Sequence, residues 1–541
     1  MAFILQRQRL ASQVRRQLEG LTITEETKAN GNDSIINKST IDIESVAESR
    51  TSEDAYLSIP GITRQIDQEG EWYYEVGWAD EYDQFNPKSW STANRLGSTF
   101  LVCAVAFFTT SASSIDSVVV ERAAAEFGVS TIVETLATGL FLVGFGLGAL
   151  LASPLSELIG RQPVYIISLV IFEGWTVGSA LSPNIAAQLI FRFLMGLSAS
   201  APLTVAGGSI SDMWTPLERT FSYPFYAILG FGGAAFGPIV GTWIGNKADL
   251  TWRWVEFLVL ILTGFCIVML FLFKRETFPP RILYLRAAAF RKYTGNKRFK
   301  TSKEATDAGK IKPILKQNFG RPFLLCFEPI VISFTLYLAI NYIILFTFLD
   351  GYTYIFAGVY GISDNLSNTA FVGLLVGILL PTGLIPWSYR ITVKQLERDG
   401  DKGLGAELNR ESRLFYAMIG APFLPIGLFW MAWTDYSFIS IWSPIVASVL
   451  IGFGMVCVFM SANMYIIDCY EMYAASALTF NALIRYIAAG GFTVVGVPLY
   501  ENLGTHYTLT LLGAISTLTL AIPFALFKWG PMIRKRSKWA Y

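Results

Sequence analysis

About twelve stretches of roughly twenty apolar residues recur along the 541-residue chain, and this repetition restricts the fold more than any single motif does. They run over about 95–115, 133–153, 164–182, 187–211, 221–245, 254–274, 323–349, 366–387, 412–433, 439–466, 474–499 and 508–529. A hydrocarbon layer about 30 Å thick takes about 20 helical residues, so each stretch is long enough to cross a bilayer once. With 53% hydrophobic residues, only 15% charged residues and a mean hydropathy of +0.45, the chain is too apolar for a soluble protein of this length. The expected class is an all-α membrane protein with twelve transmembrane helices.

The charges between the stretches set an orientation. Arg161, Arg219, the basic run from Lys274 to Arg321, then Arg390, Lys394, Arg398, Lys402, Arg410 and Arg413, and finally Arg534, Lys535, Arg536 and Lys538 all fall on one side. The other side holds Arg122, Lys247 and Arg253 among mostly acidic residues such as Glu121, Glu126, Asp364 and Glu501. Positive charge stays on the cytosolic side, so both termini are expected there. The basic central run separates six stretches from six, which predicts two six-helix lobes, 93–274 and 323–530, joined by a cytosolic loop 275–322. Residues 1–92 are polar, rich in Ser, Thr, Glu and Asn, and read as a disordered cytosolic tail; 531–541 form a second, short one. "MAFILQRQRLASQVRRQLEG" has no long apolar core and is no signal peptide; at most it forms an interfacial helix.

Between the second and third stretches lies "SPLSELIGRQPVY", and its Leu155, Glu157, Gly160 and Arg161 resemble the loop signature of the major facilitator superfamily, Gly-x-Leu-Ala-Asp-Arg-x-Gly-Arg-Arg. Ser153 replaces the first glycine and Gln162 the last basic residue. The resemblance implies a conformational latch: an acid at a helix end pairs with a basic group or a helix terminus of the other lobe in one lobe arrangement only. The residues alone also fit a solvated loop marking the cytosolic side. "RFLMGLSAS" is similar to the Arg-x-x-Gln-Gly pattern, with Arg192 and Gly196 in place and Met195 for Gln; the implied role of Arg192 is proton coupling. "GGAAFGPIVGTWIG" resembles the antiporter signature at Gly233, Gly237, Pro238 and Gly241, with Thr242 for its last glycine and Pro224 for its first. Within the superfamily that signature accompanies export in exchange for protons.

Further segments narrow the resemblance to the fungal drug:proton antiporter family with twelve spans. They are "VGWADEYDQFNPKSW", "TWRW", "RETFPPRILYLRAAAFRKYTGNKR", "FEPIVISFTLY" and "KWGPMIRKRSKWA", and the match runs from about residue 76 to the C-terminus. That family implies proton-coupled efflux of small amphipathic compounds, drugs or a fungal secondary metabolite, across the plasma membrane. A polyamine exporter, a proton-coupled nutrient importer and a vacuolar location are the alternatives; Gly237-Pro238 speaks against import. The partners expected are a small-molecule substrate, protons and the lipid bilayer, with no nucleic acid, no cofactor and a monomeric state.

A carboxyl group in a membrane span is the default proton carrier, which singles out Glu173 in the third stretch; Glu328 reads rather as a structural anchor. Asp116, Glu256 and Asp350 fall near stretch ends and read as rim residues. Asn341, Tyr337, Asn481 and Arg485 are candidate cavity-lining groups. The sequon at Asn365 would face outside as a glycosylation acceptor.

Other classes lack material. A single histidine, His506, and five scattered cysteines argue against a metal site, a disulfide framework or a convergent catalytic set. No Gly-x-x-x-x-Gly-Lys-Ser/Thr loop is present for an ATP-driven pump. "GFGLG" at 144–148 imitates a dinucleotide motif but lies inside an apolar stretch, where it serves helix packing. A transporter-derived sensor would need a signalling domain that neither tail resembles.

Overall fold

The computed structural model describes residues 1–30, 55–67, 70–245, 247, 249–307, 320–398, 410–470 and 473–540. The polar stretch 31–54, part of the central run at 308–319, and Lys402 lie outside the described residues. Among the described residues, ten helical segments long and apolar enough to cross a membrane run from Thr92–Val118 to Trp442–Tyr470, and an eleventh covers Ala474–Arg536. That last segment has 63 residues, about 95 Å of helix against a core about 30 Å thick. It is two spans. Gly504 breaks it with φ 74° and ψ 171°, and Thr508 Oγ1 donates to Leu499 O at 3.0 Å, a contact that a straight helix cannot make across nine residues. The twelve spans are numbered here in chain order, spans eleven and twelve being 474–503 and 505–536.

Spans one to six form the first lobe and seven to twelve the second. Both chain ends lie at one face, called the terminal face below: the Met1 amino group donates to Phe271 O at the end of span six, and Arg534 pairs with Glu411 at the start of span nine, at 2.5 Å. The helix of span twelve continues to Arg536, so 531–536 are not a tail as expected but the last turn of the lobe, held by that ion pair and by Tyr465.

The expectation of a disordered segment over 1–92 is corrected more widely. Helix α1 (Ala2–Asn30) buries Leu10, Val14 and Leu18, spaced by four on one face, and its Gln6 exchanges two hydrogen bonds with the Glu276 backbone. Strands β1 (Ile62–Ile66) and β2 (Trp72–Val76) pair antiparallel, Ile62 opposite Val76, and β2 pairs parallel with β3 (Phe299–Lys300), Tyr74 opposite Phe299. Helix α2 (Pro279–Thr294) adds Ile282, Ala287 and Phe290 to the same small core, where Phe290 stacks on Phe299 at 5.1 Å. The two segments read separately as tail and linker thus complete each other on the terminal face. Their apolar residues are too sparse for either to fold alone, which is why composition averaged over ninety residues hides them.

Candidate functional site

The signature loop is built around one carboxylate that the sequence did not single out. Gly160 has φ 103°, a conformation side chains disfavour, and starts the helix of span three. Glu276, from the segment leaving span six, accepts there from Arg161 N at 3.0 Å and Gln162 N at 3.2 Å, satisfying two orphan donors of the helix start. Any Cβ at Gly160 would collide with this carboxylate, so glycine is required twice over. The Arg161 guanidinium donates to Asp212 at 3.1 Å and to Ser156 Oγ at 2.6 Å, and lies over the Phe278 ring. Glu157 is half-buried and faces Arg161 only electrostatically. Among the described residues the expected cross-lobe contact of Glu157 is not made; Asp212 and Glu276, of the first lobe and its exit, take the arginine and the helix end instead. Beside them Lys274 is fully buried, and burial pushes its ammonium down to about 8 against the pull of Glu276 and Asp212.

Arg413 makes a cross-lobe contact on the terminal face. It pairs with Asp468 at 2.6 Å, as Arg161 pairs with Asp212, so the two lobes repeat one device. Arg413 also reaches into the first lobe, donating to Thr220 Oγ1 at 2.6 Å and Pro216 O at 3.0 Å, while Arg219 approaches Asp468 at 3.9 Å.

Arg192 of span four is fully buried, and its partners correct the reading of two residues as rim. Its guanidinium contacts the Asp116 carboxylate at the end of span one, and its Nε lies 3.2 Å from Glu256 Oε1 of span six. Asp116 is 3% exposed and Glu256 0%. Ser179 of span three donates to Glu256 at 2.9 Å, and Arg192 donates to Ala112 O at 3.1 Å. One helical turn before Arg192, Gln188 donates to Glu134 of span two at 2.8 Å. Stretch ends are solvent-exposed only if no helix covers them, and here five spans converge on one polar layer; no local pattern signals this. Glu173 is not brought to it. That residue is half-buried between spans three and six and accepts from Thr263 at 2.6 Å.

The antiporter-like segment packs span five onto span one. A Cβ at Gly237 would lie 2.7 Å from Ser111 O and one at Gly241 2.7 Å from Ile115 Cγ1, with Gly233 set against Phe107 and Pro238 buried beside them. At the lobe interface the rings converge. Phe145 of span two meets Tyr486 of span eleven at 4.5 Å, and Phe231 of span five meets Tyr342 of span seven and Phe459 of span ten, each at 5.4 Å. Arg485 stands among Tyr342, Tyr486 and Phe459, 4.8–5.1 Å from their ring centres. Asn341 and Asn481 are fully buried, and no hydrogen bond reaches either amide among the described residues. Tyr337 is also fully buried in span seven.

Asn365 does not present a free sequon. Its Oδ1 accepts from Thr242 of span five at 3.3 Å, and the sequon's Ser367 is buried and donates to Tyr352 O at 2.7 Å. A cavity of about 880 Å³ lies apart from the lobe interface, between α1 and spans one and six, lined by Gln6, Trp90, Phe100, Phe265 and Arg275.

These lobes and their paired loops agree with three comparisons. The family model for the Major Facilitator Superfamily matches residues 100–493. The chain is 42% identical over 464 residues to the MFS-type transporter kojT of Aspergillus oryzae, covering 86% of this chain and 82% of that protein. It is 32% identical over 460 residues to the transporter paaT of Penicillium rubens, 85% and 82% covered. The solved proton:xylose symporter XylE shares the fold at a TM-score of 0.58 and 14% identity, over 81% of this chain and 96% of that one. The chain is a membrane transporter of the major facilitator superfamily.

Proposed function

We propose that the protein exports a small amphipathic compound, such as a drug, toxin or secondary metabolite, in exchange for protons. The observation that carries this reading is the buried trio of Arg192, Asp116 and Glu256. Two carboxylates on one guanidinium leave a net negative charge in a low-dielectric site, and one added proton neutralises it and releases one arm of the arginine. The trio joins spans one, four and six, so the proton state and the packing of the lobe are coupled. Gly233, Gly237, Pro238 and Gly241, matching the antiporter signature, support export over import. Polyamine export fits less well, because the group at the centre of the lobe interface is the cation Arg485.

The plasma membrane, with both termini in the cytosol, suits the basic loops of the terminal face. In yeast stripped of its own pumps, wild type should clear a fluorescent panel of azole-like and aromatic compounds in an uncoupler-sensitive way. Glu256→Gln at equal surface expression should not. Uncoupler-insensitive clearance would refute proton coupling, and net accumulation would reverse the direction.

A further inference from the structure

Five arginines of the described residues are buried: Arg161, Arg192, Arg286, Arg413 and Arg485. Four of them hold a carboxylate at close range, with Asp212 at 3.1 Å, Glu256 at 3.2 Å, Asp83 at 3.1 Å and Asp468 at 2.6 Å respectively. Arg485 is the exception. It is 5% exposed, and the groups that face it are the phenols of Tyr223, Tyr226, Tyr342 and Tyr486, the last hydrogen-bonded to it, together with the Phe459 ring. Its Nε has no acceptor among the described residues.

Position adds to the contrast. Arg485 is eleven residues into span eleven, about 16 Å along a helix about 45 Å long, and so inside a core about 30 Å thick rather than at its edge. Rings of both lobes meet around it, which is where alternating access exposes a bound molecule to either side in turn. A cation with no carboxylate partner is costly at that depth: ring faces attract it and the Tyr486 hydroxyl takes one donor, but neither supplies a counter-charge. Asn481, one turn earlier on the same helix, and Asn341, beside Tyr342, add buried amides without hydrogen-bond partners among the described residues.

We propose that Arg485 is the anion-recognition group of the transport site, and that the substrate is a small aromatic or conjugated weak acid carried as its anion. The guanidinium fork pairs with the acid group. The ring of the ligand lies among Tyr342, Tyr486 and Phe459, and the two asparagines serve hydroxyl or carbonyl substituents. A cationic substrate would be repelled by Arg485, and a neutral one would leave it unpaired. This inference rests on the transporter reading above and names its substrate class.

The test is equilibrium binding to the purified full chain in lipid nanodiscs, with no gradient imposed, so that its outcome is separate from whether transport is proton-driven or outward. The probes are para-hydroxybenzoate, its uncharged amide and the cation tyramine, followed by thermal shift and tryptophan fluorescence. The anion should bind at least about tenfold more tightly than the amide, and tyramine least. Arg485→Gln should erase the preference for the anion. Arg485→Lys, which keeps the charge and guards against a misfolded first variant, should bind the anion more weakly while still preferring it to the amide. Equal binding of anion and amide, preference for tyramine, no response to the anion, or an unchanged ratio in folded Arg485→Gln would each overturn the proposal.

Discussion

Arg413 of the second lobe donates to Thr220 Oγ1 of the first at 2.6 Å while holding Asp468 of its own lobe at the same distance. One side chain therefore belongs to a buried ion pair and to the seam between lobes. Opening the terminal face must remove its first-lobe contacts while the pair with Asp468 stays within one rigid body.

Replacing Arg413 with alanine leaves Asp468, 11% exposed, with Arg219 at 3.9 Å as its remaining cation among the described residues. Losing one partner of a buried pair costs about 3–5 kcal/mol, and the low end applies because Arg219 remains. Spin labels placed on the two lobes at the terminal face should report a longer, broader distance in the variant. An unchanged distribution would mean that Arg413 does not close that face.

Asp116→Asn and Glu256→Gln should separate exchange from coupling. Each keeps the shape of the trio but removes a proton-binding group, so substrate counterflow between equal pools should persist while proton-driven accumulation against a gradient falls at least about tenfold, more than 1.4 kcal/mol. Reconstituted vesicles with and without a pH gradient measure both. Equal loss of both activities would point to a structural role instead.

Gly160→Ala should destabilise the protein by about 1–3 kcal/mol, since it forces a side chain into a glycine-only conformation. The new Cβ also meets Glu276, so Glu276→Ala should recover part of the loss when combined with it. Melting temperatures of the purified single and double variants decide this; additive losses would show that the carboxylate is not the obstacle.

Lys274 gives a pH signature. Its folded value, near 8, lies below that of the unfolded chain, so between these values the unfolded state holds more protons and stability rises with pH. The gain begins as pH passes about 8 and is complete above the ordinary lysine value of about 10.4. Glu276, Asp212, Arg161 and Cys103 face the same ammonium, so Lys274→Met, rather than the absolute slope, is the informative comparison. The variant should melt higher near neutral pH and lose that alkaline rise; a parallel curve would show that Lys274 is not the titrating group.

Properties that are sums along the chain were legible without coordinates. Twelve apolar stretches, the sign of each loop and the spacing of Gly160, Arg161, Arg192 and Gly237 are local, and they sufficed for the superfamily, the two lobes and the place of the signature loop. Partnership was not legible. Asp116, Glu256 and Arg192 are separated by 76 and 64 residues yet share one buried cluster, and Gln6 meets Glu276 from 270 residues away. A carboxylate at the end of an apolar stretch looks the same whether water or another helix covers it, and only helix packing decides between them. The same holds for α1 and β1, whose few apolar residues become a core only against Phe290 and Phe299. Sequence thus determined which segments enter the membrane, because that depends on the transfer energy of about twenty consecutive residues. The tertiary structure decided which buried arginines hold a carboxylate and that Arg485, among the described residues, does not, because ion pairs form only where packing brings charged groups of different helices within about 4 Å.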